Sequence, residues 1–167
     1  MTQPVLLLED YFLTRLHLDW HFPPDGPAVQ VKKVRSQFDY EVAKHTTDPR
    51  RRMLKFRAAF QELDANQQHL GHRVECEVVG LFSFTEATPK DKEEFLIRVN
   101  GISMLYGALR GLLTSATGAF PSGRFAMPSI MPQDIVNEVE TRHAEEAAKA
   151  KPPSEPAAAT PVNPTPL

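Results

Sequence analysis

The chain has 167 residues, 41% of them apolar, enough for one domain with a real core and too few for two comfortable ones. Its formal charge is −2, and Arg50-Arg51-Arg52 is a local run in a hairpin turn, so it lacks the basic footprint that a nucleic-acid backbone requires. A lone cysteine, Cys76, excludes an internal disulfide and a multi-cysteine zinc site; the longest apolar run, Val5 to Leu8, is far below a membrane span, and no charged-then-apolar leader is present, so a soluble cytoplasmic protein without membrane insertion is expected.

The first half of the chain has the two-residue period of strands. Phe12, Leu16, Leu18, Trp20 and Phe22 alternate with Arg15, His17, Asp19 and His21, and Val34, Phe38, Tyr40 and Val42 with Arg35, Gln37, Asp39 and Glu41. Leu54, Phe56, Ala58 and Phe60 then alternate with Lys55, Arg57 and Gln61, and Val74, Cys76, Val78, Phe82 and Phe84 with Arg73, Glu75 and Glu77. Four strands therefore share one apolar and one mixed face. Their separators, residues 22–27, 45–49 and 64–71, are rich in Pro, Gly, Asp and Asn, which predicts short antiparallel connections.

Past Phe84 the period changes. Thr88-Pro89 followed by acids reads as a helix start with a capping hydroxyl, and the helix is expected to weaken or kink at Asn100-Gly101. Ile102, Leu105, Tyr106, Leu109, Leu112, Leu113 and Ala116 then recur at three- and four-residue steps, one continuous apolar face. From Ala119 to Pro132 large apolar side chains continue while three prolines block both helix and central strand. A last helix runs from about Pro132 to Ala150, and residues 151–167, Pro- and Ala-rich, cannot pack a core and read as a disordered tail. Sheet first and helices second predicts an α+β domain over residues 1–150, a four-stranded antiparallel sheet with a long helix, a crossover loop and a C-terminal helix on one face.

Leu105-Tyr106, Arg110, Phe120-Pro121 and Met127-Pro128, with the Gly80-Leu81-Phe82 strand exit, resemble the SecB family of export chaperones, although Gly107 stands where that family usually has Pro. The order of elements is similar over almost the whole chain. The resemblance implies an ATP-independent holdase, a homo-oligomer built as a dimer of dimers, that binds unfolded polypeptides for export and passes them to the motor ATPase SecA. It places client binding on Phe120, Phe125, Met127, Ile130 and Met131, which suit a promiscuous apolar site because thioethers and flat rings adapt to many side chains. The surplus apolar face of the long helix places an oligomer interface at Leu105, Leu109 and Leu112. An acidic sheet face at Glu75 and Glu77 would dock the motor, but Arg15, Arg35, Lys55, Arg57 and Arg73 interrupt its negative field. That dilution brings in a relative within the family, SecB-like chaperones that protect a labile antitoxin in a toxin–antitoxin system.

Chemistry is sparse elsewhere. His17, Asp19 and His21 share one strand face at a spacing able to ligate a metal, but no fourth ligand with defined spacing accompanies them, so they read as an exposed polar face and no metal is expected. Cys76 falls on the inward phase and reads as an inert core residue. Without a Gly-rich phosphate loop no cofactor is expected and the chain does not read as an enzyme. Two alternatives from other classes remain: an apolar small-molecule binding protein using the same apolar groove, and a hydrolytic or metal enzyme, which would need His17, Asp19 and His21 to converge with other groups.

Overall fold

Alternating side chains pair into one antiparallel sheet in the computed structural model, which describes residues 5–21, 33–120 and 123–150. The strands are β1 (Leu6–His21), β2 (Lys33–Lys44), β3 (Arg51–Leu63) and β4 (His69–Phe84), in the order β1-β4-β3-β2. The expected disordered tail, the turn at residues 22–27 and Pro121 lie outside the described residues.

Polar side chains shape the two described hairpin turns. His45 Nδ1 accepts the backbone N–H groups of Thr47 (3.3 Å) and Asp48 (3.1 Å) between β2 and β3. Asp64 Oδ1 accepts those of Asn66 and Gln68, both at 2.8 Å, while Gln67 takes a positive φ of 62°. This second turn is tighter than its composition predicts, and His69, Leu70 and Gly71 belong to β4 rather than to the connection.

One face of the sheet carries Phe38, Tyr40, Leu54, Phe56, Ala58, Phe60, Val74, Cys76, Val78 and Phe82, all buried. Across it runs a helical segment made of a 3-10 turn (Lys90–Lys92), α1 (Glu93–Leu96), a π-helical turn (Ile97–Gly101) and α2 (Ile102–Ala116). The kink expected at Gly101 is this π-turn, and it brings the backbone close: a Cβ on Gly101 would lie 2.9 Å from Leu54 Cδ2. The helix entry differs from the sequence reading. The Thr88 hydroxyl donates to the Val5 carbonyl, tying the helix to the start of β1 instead of capping it. Arg52, buried, pairs at 2.7 Å with Glu93 and fixes α1 to β3.

The α3 helix (Pro132–Ala150) buries Ile135, Val136 and Val139 and reaches the β2 edge. There the Tyr40 hydroxyl donates to Glu140 at 3.0 Å, and His143 Nε2 lies 3.0 Å from Asp39. Burial, and then the Glu140 carboxylate, push the Tyr40 hydroxyl up to about 12.

Candidate functional site

The crossover loop is anchored by the residues that carry the motif. Tyr106 donates its hydroxyl to the Pro128 carbonyl at 2.7 Å, and Arg110 Nη2 donates to the same oxygen at 3.0 Å. Thr117 works at the other end: its hydroxyl donates to the Leu113 carbonyl (2.6 Å) and accepts the Phe125 N–H (2.8 Å). With its backbone held at both ends, the loop turns Phe125 inward.

This separates the five side chains expected to bind clients. Phe125 is fully buried, its ring 5.5 Å from that of Phe60 and 5.7 Å from that of His72, and Met127 is buried with it. Both are core, because the loop closes the helix-side face of the sheet and is not draped over it. Phe120 is half-buried, 5.7 Å from the His72 ring, and Ile130 is half-buried against the core. Met131 alone is well exposed, at 67%. The helix residues need the same correction. Leu105 and Leu109 are buried beneath α2 against this chain's own sheet, and Leu112, half-buried, is the one of the three left toward the surface.

Exposed apolar surface is found instead on β1. Phe12 and Leu16 do not share a face as their spacing suggests, because the register shift at Leu13/Arg15 lies between them and exchanges the two faces, as an earlier shift at Leu8/Asp10 does for Phe12 relative to Leu8. Opposite the inward residues Gly80, Val78, Cys76 and Val74 stand Tyr11, Leu13, Leu16 and Leu18. The π-turn Ile97–Gly101 meets β1, whereas α2 packs mainly on β3 and β4 and α3 on β2, which leaves part of the helix-side face of β1 open. Tyr11 is accordingly 45% exposed and Leu16 36% exposed, with Leu13 and Leu18 half-buried.

α2 supplies a wall to this floor. Leu105 packs at Gly80 of β4, whereas Tyr106 meets Phe38 of β2 (ring centroids 6.2 Å apart) and Phe56 of β3 (6.5 Å). The side of α2 beyond Leu105 therefore faces toward β1, and at helical spacing it carries Met104, Ala108 and Leu112. Met104 is exposed and the other two half-buried. Tyr11, Leu13 and Met104 escaped the sequence reading because strand order and bulge positions leave no period in the sequence.

On the sheet's other face the acids are consumed. Arg57 binds Glu77 (2.9 Å), Glu41 (2.8 Å) and Asp39 (3.1 Å), and Thr14 donates its hydroxyl to Glu77 at 2.7 Å. Those bonds, Arg57 first, hold the Glu77 carboxyl below its ordinary value. Glu75 is shared by Arg73 (2.9 Å) and Arg15 (3.8 Å). His17 Nε2 lies 3.3 Å from Asp19, whereas His21 turns to the His69 ring at 5.7 Å; among the described residues no three His, Cys, Asp or Glu side chains could hold a metal. Cys76 is buried, its thiol donating to the Ala58 carbonyl at 3.4 Å, and burial pushes it up to about 11.

No protein-family model matches the chain, and no curated protein matches it significantly. Solved structures do match. A SecB-like chaperone of Mycobacterium tuberculosis, solved with a peptide from the HigA1 antitoxin, has a TM-score of 0.58 at 13% identity, over 75% of this chain and 90% of that one. A Streptococcus agalactiae protein of unknown function has a TM-score of 0.45 at 11% identity, over 74% and 97%. The chain has the SecB-like α+β fold. Among the described residues, no helix is long and apolar enough to cross a membrane.

Proposed function

We propose that this protein is an ATP-independent holdase, not an enzyme, and that it receives unfolded polypeptide in the groove floored by β1 and walled by α2. The observation that carries this reading is the exposure of Tyr11, Leu16 and Met104, together with half-buried Leu13, Leu18 and Leu112, on the helix side of the sheet. Apolar surface left open on a sheet face is costly in water and marks a binding surface. An extended client lies along such a strip with alternate side chains on the floor. Met131 is exposed and Ile130 half-buried where the crossover loop meets α3, a second apolar spot apart from the β1 strip.

Two deliveries fit a holdase, export through SecA and protection of a labile antitoxin. One observation favours the second. Glu75 and Glu77 spend their charge on Arg15, Arg73 and Arg57, leaving little negative field to attract a basic motor segment. The chaperone of similar fold was solved with an antitoxin peptide, which accords with this choice.

The test replaces Tyr11, Leu16 and Met104 together by Ser and measures suppression of aggregation of a denatured protein at a fixed chaperone ratio. Suppression should fall to the level of a no-chaperone control while thermal unfolding shifts by only a few degrees. Full suppression by the triple variant would remove the groove as the client site.

A further inference from the structure

The open face of the sheet, opposite the helices, carries a hollow that the holdase groove does not use. Its cross-strand rows run Asp39, Arg57, Glu77, Arg15 on one side and Arg35, Gln61, Arg73, Asp19 on the other, and between them lies Gln37, Ala59, Glu75, His17. In these rows Ala59 alone ends at Cβ, and it sits on β3, an interior strand, so the face has a well one side chain deep. The missing side chain opens a space of about 360 Å³ toward Arg15 and Asp39 and another of about 160 Å³ toward Arg35 and Arg73; Gln37, Ala59 and Glu75 line both.

The polar groups around this well are unequally spent. Its acids are committed: Asp39 and Glu77 to Arg57, at 3.1 and 2.9 Å, and Glu75 to Arg73, at 2.9 Å. Asp39 also takes His143 of α3 at 3.0 Å. Arg35, by contrast, is exposed and makes no ion pair among the described residues, and the carboxamides of Gln37 and Gln61 make no hydrogen bond among them. What remains unspent is a guanidinium, all donors and no acceptor, beside two carboxamides. A cation arriving from a partner meets carboxylates that already hold arginines, whereas an arriving carboxylate meets a free fork of donors.

We infer that the open face docks an acidic segment of a partner polypeptide, one Glu or Asp side chain of which fills the Ala59 well with its carboxylate on the Arg35 guanidinium. The methylenes of that side chain lie on the Ala59 methyl, and Gln37 and Gln61 flank the well as donors and acceptors for the partner's peptide groups. A nucleic-acid strand fits less well, since its repeating phosphates would run over Asp39, Glu75 and Glu77, whereas a single carboxylate avoids them. The well lies on the other side of the sheet from Tyr11, Leu16 and Met104, so a client in the groove does not occupy it.

The test is fluorescence anisotropy of a labelled peptide of alternating Glu and Ser titrated with the full chain, against the same peptide with Gln or with Lys in place of Glu. The Glu peptide should bind saturably at low salt, at least tenfold more tightly than the Gln and Lys peptides, and should loosen as salt rises. Arg35→Gln, at an exposed position, should weaken it tenfold or more. Ala59→Gln, which fills the well and leaves every cation in place, should do the same with the fold checked by thermal unfolding, and Arg35→Gln carries the test if that variant unfolds. Lys55→Gln, which removes a cation of the same face outside the well, should leave the affinity within twofold. No saturable binding of the Glu peptide, equal binding of the Gln peptide, equal losses in Arg35→Gln and Lys55→Gln, or tighter binding of a single-stranded DNA oligonucleotide of the same charge would overturn the assignment. The groove variant Tyr11→Ser, Leu16→Ser, Met104→Ser should keep the Glu-peptide affinity, which separates this site from the client groove.

Discussion

Phe125 and Met131 are six residues apart in one loop and lie in opposite environments. Phe125 packs on Phe60 and His72 with its N–H on the Thr117 hydroxyl, so removing the ring leaves a cavity the anchored loop cannot collapse. Phe125→Ala should cost about 3–5 kcal/mol in urea denaturation, while Met131→Ser should stay within ~0.5 kcal/mol of the parent. Comparable small effects would mean that the loop is not seated as described. Cys76 offers a second residue-scale test, through pH. Its thiol is raised from 9.0 to about 11, so between those values the unfolded chain has lost a proton that the folded chain keeps. Stability from this group is fully present below pH 9 and falls as pH rises toward 11. Cys76→Ala should lose less stability than the parent between pH 8 and pH 10.5 when denaturation midpoints are compared, and an equal loss would assign the alkaline decline to other groups.

At the scale of elements, the contact between α2 and β4 depends on a missing side chain. A Cβ at Gly80 would lie 2.6 Å from a Phe82 ring carbon and 2.8 Å from Leu105 Cδ2. Gly80→Ala should therefore destabilise by about 1–3 kcal/mol through overpacking. Gly107, in the middle of α2, is a contrasting case: it is exposed, and a Cβ added there would meet nothing within 4 Å. Gly107→Ala should stabilise the protein by about 0.5–1 kcal/mol, since glycine costs a helix interior that much relative to alanine. Melting curves of the two variants should move in opposite directions, and a shared direction would contradict the placement of α2. The Gly80-Leu81-Phe82 exit thus has a packing reason: glycine admits the helix and Phe82 fills the space beside it.

For the whole molecule, the strand order leaves β1, 16 residues long, at an edge of the sheet with apolar side chains exposed on both faces. Long apolar edges are templates for pairing with another chain. The homo-oligomer expected from the apolar surplus is best supplied by β1, because Leu105 and Leu109 are committed to the core of their own chain. Light scattering at micromolar concentration should give a multiple of the chain mass, and Leu16→Lys, a charge on the exposed edge strand, should lower it. A monomeric parent would contradict the assembly.

Composition and periodicity by themselves determined four strands followed by helices, the β2–β3 and β3–β4 hairpins, the apolar face of α2 and the inward position of Cys76, since each depends on a repeat or a turn within a local segment; the short connection expected between β1 and β2 is overturned, because those strands lie at opposite edges of the sheet. The resemblance at Leu105-Tyr106, Arg110 and Met127-Pro128 was legible too, and Tyr106 and Arg110 meeting on the Pro128 carbonyl give it a structural cause. Three things were decided only by tertiary structure. Strand order made β1 an edge, and no local pattern encodes which strand is outermost. The first β1 bulge sent Phe12 to the open face and the second returned Leu16 to the helix side, because each extra residue reverses every later side chain. Anchoring of the crossover loop sent Phe125 and Met127 into the core and left Met131 outside, for an apolar residue in a proline-rich loop carries no period to say which way it points.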